Sequence, residues 1–340
     1  MKKAASMDLA CSFKPGDSLK GKWNQNTYRI IKQLGKGANG VVYLAVSARG
    51  QVALKVSDDT MSITSEVNVL KAFSKARSKA MGPSLFDADD TVCGSAKQTI
   101  SFYAMEYVQG PLLQDYVQKR GEEWITVLMI QLLTDLSFLH QEGWIFGDLK
   151  PENLIVAGPP AKIRCIDVGG TTKQGRAIKE YTEFFDRGYW GFGSRKAEPT
   201  HDLFAVAMIM INCVVTQKFK KSEHPKEQLF SVIEKNTYLN RYKHMLQSAL
   251  SGSYSSADEM RNGLLSAGQK GTNRVVRQQS YTQGSGNSRT TRVRSQRSSN
   301  PNRMAKKQKT KKPGGGIAET MLIVISIVAL YFAYIILFLA

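Results

Sequence analysis

The segment LGKGANGVVYLAV, from Leu34 to Val46, constrains the fold of this 340-residue chain more than any other. It spaces Gly35, Gly37 and Gly40 as GxGxxG, a pattern that dinucleotide-binding folds also use, but there the glycines open a helix. Here Val41, Val42, Tyr43 and Leu44 continue a β-branched and aromatic run. That predicts a strand, a glycine turn and a second strand, a geometry suited to covering phosphates. VALKV then reads as another short strand carrying Lys55. From Thr64 to Ala76, Val67, Leu70 and Phe73 recur at helical spacing, with Thr64 or Ser65 as a cap and Glu66 on the same helix. Beyond Gly110, segments such as WITVLMIQLLTDLSFLH turn the pattern mainly helical. The expected fold class is α+β, with a small strand-rich lobe preceding a larger helical one.

Polar landmarks follow in a fixed order. Lys55 and Glu66 succeed the glycine loop, WIFGDLKPEN supplies Asp148, Lys150 and Asn153, RCIDVGG supplies Asp167 and Gly169, and HDLFAVAMI supplies Asp202. In this order they resemble the Hanks-type (eukaryotic-like) serine/threonine protein kinases, in particular the short, membrane-anchored bacterial type. The resemblance covers roughly 240 residues and implies the bilobal kinase fold over 28–268, after an N-terminal extension over 1–27.

The resemblance implies a division of roles. Gly35, Gly37, Gly40, Val42, Ala53, Met105, Glu106, Val108 and Ile155 would surround ATP, with Met105 as gatekeeper and the hinge at Glu106 and Val108. Lys55, oriented by Glu66, would hold the α- and β-phosphates. Asn153 and Asp167 would hold Mg2+, or Mn2+. Asp148 would align the attacking hydroxyl, and Lys150 would neutralise charge on the transferred group. Phosphoryl transfer is mostly positioning and charge neutralisation, which is why carboxylates, an amide and ammonium groups recur at these spacings. Asp202 resembles the buried aspartate that braces the catalytic loop.

Three departures from the family pattern stand out. Phe146 and Gly147 replace the usual His and Arg; Phe146 can fill an apolar site by burial, while Gly147 removes the Arg that pairs with a phosphorylated activation loop. Val168 stands where the family has Phe. No APE motif lies between Gly169 and Asp202, only the scrambled Ala197, Glu198 and Pro199, so the peptide platform is unassigned. The retained Lys55, Glu66, Asp148, Asn153 and Asp167 favour an active protein kinase over a pseudokinase adaptor, and Lys150 argues against a small-molecule phosphotransferase.

Charge is concentrated near the end of the chain. The formal net charge is +19, and the segment 269–313 carries thirteen Lys and Arg with no Asp or Glu. Low in large apolar side chains, 269–316 reads as a basic flexible linker. Arg274, Arg277, Arg289, Arg292, Arg294, Arg297, Arg303, Lys306 and Lys307 are candidates for non-specific DNA contacts, since unopposed cations track phosphates without a folded reader; anionic lipid is the other polyanion within reach. DNA collecting several chains would promote transient self-association and autophosphorylation in trans; phosphates added to Ser280, Thr290, Ser295 or their neighbours would weaken the grip on DNA.

The run MLIVISIVALYFAYIILFLA, 321–340, contains no charged residue. As a helix it would be roughly 30 Å long, the thickness of a bilayer core. With KKQKTKKPGGG preceding it, it is expected to be a single transmembrane helix that leaves the kinase domain on the cytoplasmic face of the cell membrane. Cys11, Cys93, Cys165 and Cys213 lie far apart, with neither CxxC nor a His at metal spacing, and are expected to be reduced thiols.

Overall fold

The computed structural model describes residues 12–37, 39–75, 81–93 and 98–282. The first lobe contains β1 (Ser18–Lys20), β2 (Thr27–Gly37), β3 (Gly40–Ser47), β4 (Gly50–Ser57), helix α1 (Thr60–Lys75), β5 (Leu85–Cys93) and β6 (Gln98–Glu106). The strands form one antiparallel sheet in the order β1-β2-β3-β4-β6-β5. Alternation sorts its side chains. On β4, Val52, Leu54 and Val56 enter one apolar cluster with Phe102 and Ala104 of β6, while Ala53 enters the other with Tyr103 and Met105. Because side chains alternate with period two, Lys55 shares the face of Ala53.

Helix α1 begins four residues before the Thr64 suggested by hydrophobic periodicity. The Asp59 carboxylate accepts the amides of Met61 and Ser62 at 2.9 and 3.1 Å, satisfying donors that a helix start leaves open. The apolar pattern begins only once the helix meets the core, so periodicity alone places the start too late.

The second lobe contains α2 (Leu113–Arg120), α3 (Glu123–Gln141), β7 (Trp144–Ile145), β8 (Leu154–Ala157), β9 (Lys162–Cys165), β10 (Thr172–Lys173), α4 (Arg187–Trp190), α5 (Pro199–Val214), α6 (Pro225–Lys235), α7 (Thr237–Arg241), α8 (Lys243–Leu250) and α9 (Ala257–Thr282). Helix α5 is buried on every side from His201 to Cys213, as befits the centre of a helical lobe. Along the chain, the loop with Asp148 and Asn153 lies between β7 and β8, and the segment with Asp167 lies between β9 and β10.

Helix α9 runs across residue 269, where the basic linker is expected to begin. Its first half is anchored by buried Ala257, Met260 and Leu264, and the helix continues past Gly268 to Thr282. Extending an existing helix costs far less than nucleating one, which a composition argument about the isolated segment misses. Arg274 and Arg277 therefore lie on helical backbone. The other candidate DNA-contacting residues, and the apolar run 321–340, lie outside the described residues. Among the described residues no helix is long and apolar enough to cross a membrane.

The expectation of reduced thiols holds for Cys165 and Cys213, both free and buried. Cys93, at the end of β5, is instead disulfide-bonded.

Candidate active site

A cleft of about 320 Å3 opens between the lobes. Ten of the residues expected around ATP and metal line it: Gly35, Val42, Ala53, Lys55, Met105, Glu106, Val108, Asn153, Ile155 and Asp167. Gly37 and Gly40 close the turn between β2 and β3, where they pair with each other across the hairpin. At Gly40 a Cβ would stand 2.3 Å from the Val56 carbonyl oxygen, with φ at +132°, so glycine is required for the turn to cross β4. The strand-turn-strand geometry is present, and no helix follows the glycines.

Lys55 reaches back to Glu66 of α1, its Nζ 2.7 Å from both carboxylate oxygens. Glu66 is only 2% exposed, and its remaining partners are the hydroxyls of Tyr103 at 2.7 Å and Ser62 at 3.2 Å. Buried charge of this kind is tolerable because it is paired and hydrogen-bonded. Burial, and then the Glu66 charge, pushes the Tyr103 hydroxyl well above its ordinary range, so it stays a donor. Toward the cleft, Lys55 Nζ lies 3.9 Å from Asp167 Oδ1. The Asp167 side chain is 51% exposed and is oriented by the Gly169 amide at 3.0 Å.

Below the cleft, Asp148, Lys150 and Thr182 form a closed triangle. Lys150 bonds Asp148 directly and donates to Thr182 Oγ1 at 3.1 Å, while Thr182 donates to Asp148 Oδ1 at 3.0 Å. Asn153 donates through Nδ2 to the Asp148 carbonyl at 3.3 Å, which leaves its amide oxygen as an acceptor. Beneath this loop lies Asp202, fully buried, accepting the amides of Phe146 at 2.8 Å and Gly147 at 2.9 Å and sitting 2.9 Å from His140 Nε2. Phe146 is fully buried and Val168 nearly so, in the same apolar cluster as Phe73 and Met81. Both departures from the usual His and Phe are thus filled by apolar packing.

At the hinge, Glu106 is fixed by paired bonds from Arg164 at 3.0 and 2.9 Å, and those bonds hold its carboxyl below the usual range. Across the mouth, Glu180 of the segment after Asp167 bonds Asn39 at the tip of the glycine loop. Burial and the nearby Asp167 and Glu66 charges raise the Glu180 carboxyl, while the Asn39 bond and Lys55 oppose them.

The sequence reading misses Leu34, Tyr103, Ile166, Glu180 and Thr182. Leu34 adjoins the glycine pattern and Ile166 adjoins Asp167, so both were within reach of a motif argument. Tyr103, Glu180 and Thr182 come from a strand and a loop with no pattern of their own, and only folding brings them to the site.

The protein kinase domain family matches residues 28–270. Serine/threonine-protein kinase YabT of Bacillus subtilis (strain 168) is 64% identical over 335 residues, covering 98% of each chain. Cyclin-dependent kinase G-2 of Oryza sativa subsp. indica is 24% identical over 228 residues, 62% of this chain and 31% of that protein. The crystal structure of the Mycobacterium tuberculosis PknI kinase domain matches with a TM-score of 0.51 at 17% identity, covering 76% of this chain and 100% of that one, a likeness of fold. The chain belongs to the protein kinase domain family.

Proposed function

We propose that this serine/threonine protein kinase uses the Asp148–Lys150–Thr182 triangle to align a protein hydroxyl against ATP held in the cleft. The observation that carries the reading is the position of that triangle beside a cleft lined by Lys55, Asn153 and Asp167. Adenine would lie between Val42 and Ala53 on one side and Ile155 on the other. The Glu106 amide donates to Ser84 O at 2.9 Å, and the Glu106 carbonyl and the Val108 amide would pair with the base. Lys55, pre-positioned by Glu66, would hold the phosphates.

Asp167 and Asn153 offer one carboxylate and one amide oxygen, hard ligands that fit Mg2+. Among the described residues no group of three or more His, Cys, Asp or Glu could hold a metal by itself, the usual situation where the nucleotide's phosphates complete the coordination. Bound there, the ion would supply neutralisation of phosphate charge. Asp148 would accept the hydrogen bond of the substrate hydroxyl. The hydroxyl oxygen forms a bond to the γ-phosphorus as the bond to the bridging oxygen of ADP breaks, and its proton passes to the Asp148 carboxylate. Lys150 would offset charge on the transferred group.

The basic segment extends this reading to DNA and membrane. Thirteen cations without an acid over 269–313 support non-specific binding to a polyanion, and the uncharged run 321–340 supports anchoring by a single helix, with the kinase domain cytoplasmic. A shared DNA strand would raise the local concentration of kinase domains and favour trans-autophosphorylation. The test is phosphate transfer by the full chain in detergent across a DNA titration. Asp148→Asn should abolish transfer. DNA should stimulate wild type up to saturation and inhibit beyond it, while deletion of 269–312 should remove most of the DNA affinity and its steep salt dependence. Transfer retained in Asp148→Asn refutes the catalytic assignment, and equal DNA stimulation after the deletion refutes the role of the basic segment.

A further inference from the structure

The segment between Asp167 and α5 is held in place by backbone pairing, a small apolar cluster and the Arg195–Asp186 ion pair. Gly147 offers no cation to a phosphorylated residue, and any side chain there would be obstructed: φ is +86° and a Cβ would stand 2.5 Å from the Gly170 carbonyl oxygen. Instead the segment is zipped to the strand-like stretch before α5. The Gly175 amide donates to Ala197 O at 2.8 Å, the Ala197 amide to Arg176 O at 2.7 Å, and the Ile178 amide to Arg195 O at 2.9 Å. Ile178 and Ala197 pack with Ile145 of β7 in a small apolar cluster.

Arg195 does more than accept a backbone bond. Its Nε and Nη2 each lie 2.7 Å from Asp186 Oδ2, and its guanidinium carbon stands 3.9 Å from the centre of the Tyr181 ring. Asp186 is a rigid anchor: its side chain is fully buried and caps α4 through the amides of Gly188 at 3.1 Å and Tyr189 at 2.9 Å. Burial works to raise its carboxyl, but His201, Arg195 and those two amides outweigh it and hold it at about 2. Tyr181 immediately precedes Thr182, whose hydroxyl bridges Asp148 and Lys150. A continuous set of contacts therefore runs from buried Asp186 through Arg195 and Tyr181 to the carboxylate that aligns the hydroxyl.

We propose that Arg195 is a positioning residue for phosphoryl transfer: anchored on Asp186, it stacks on Tyr181 and so holds Thr182 against Asp148, ordering the segment without phosphorylation. This rests on the assignment of Asp148 above. A planar guanidinium suits the task, since it can bond a carboxylate edge-on while presenting its face to an aromatic ring. ATP binds in the cleft away from this contact, so the effect should fall on the chemical step.

The test is steady-state kinetics of the full chain in detergent, with a protein substrate and ATP varied separately. Arg195→Ala and Tyr181→Ala are each expected to lower kcat about 10- to 100-fold, the scale of a small misplacement of catalytic groups, with KM for ATP unchanged. Tyr181→Phe keeps the ring and should retain wild-type kcat. The double variant Arg195→Ala/Tyr181→Ala should fall no further than either single, because the two side chains act through one contact. Tyr181 is 41% exposed, so its replacement leaves the Asp186 anchor and the core intact and keeps the test valid even if Arg195→Ala unfolds. Wild-type kcat in Tyr181→Ala, an equal loss in Tyr181→Phe, or losses that multiply in the double variant each overturn the proposal. Asp148→Asn alongside separates the two readings: continued transfer there overturns the Asp148 assignment and this proposal with it, whereas lost transfer there with normal kcat in both alanine variants overturns this proposal alone.

Discussion

The Gly147 amide donates to Asp202 Oδ1 at 2.9 Å, which ties the catalytic loop to a fully buried carboxylate at the centre of the helical lobe. The same carboxylate takes the Phe146 amide through its other oxygen. With both oxygens engaged, the loop has one position, and Asp148 inherits it. Gly147 permits this through a left-handed backbone that a larger residue adopts only with strain.

Restoring the arginine common in the family should therefore harm this protein. Gly147→Arg places a Cβ against the Gly170 carbonyl at a φ of +86°. We expect kcat to fall at least 10-fold and stability by about 2 kcal/mol or more. Peptide phosphorylation assays with thermal melts check both, and a fully active, stable Gly147→Arg would show that the backbone can relax here.

Lys55 and Glu66 form a buried pair, so removing one partner exposes a cost that the motif alone does not suggest. Lys55→Ala should abolish phosphotransfer and also destabilise the fold by about 3 kcal/mol, because it leaves a buried carboxylate with only Tyr103 and Ser62 as partners. Lys55→Ala/Glu66→Ala should recover part of that stability but none of the activity. Urea unfolding of the three proteins decides it.

Glu180 adds negative charge to a cleft that also holds Glu66 and Asp167, and its bond to Asn39 spans the mouth of that cleft. Glu180→Gln keeps the shape and removes the charge. KM for ATP should fall several-fold, with kcat for a saturating substrate little changed, as measured by initial rates across ATP concentration. A rise in KM would mean that the carboxylate assists nucleotide binding.

Asp135 on α3 is a cost rather than a gain at neutral pH. Burial raises its carboxyl to about 6 against the opposing charges of Lys162 and Arg164. A carboxyl raised in the folded state stabilises fully below its unfolded value near 3.8, and that contribution is lost as pH rises through about 6. Asp135→Asn should accordingly be more stable than wild type at pH 8, by about 1–3 kcal/mol, and differ little at pH 4. Chemical denaturation at the two pH values gives the difference directly.

Local chemistry written in consecutive letters was legible before folding. The Gly35–Gly40 turn, the short strand carrying Lys55, and the order of Lys55, Glu66, Asp148, Asn153 and Asp167 each follow from short-range spacing. Short-range spacing is what strand and helix periods act on. The basic and uncharged stretches near the end of the chain were equally visible as composition. What remained hidden depends on contacts distant along the chain. Thr182 reaches Asp148 across thirty-four positions, and Tyr103 reaches Glu66 across thirty-seven. The joint placement of Asp186, Arg195 and Tyr181 arises only once the segment before α5 has folded back. Helix α9 has the same origin: anchored by buried Ala257, Met260 and Leu264, it continues to Thr282 through residues that would not begin a helix alone. Sequence determined which groups were available for the chemistry, and tertiary structure decided which of them meet, because the free energy that holds them together comes from burial and hydrogen bonds between segments that no local pattern connects.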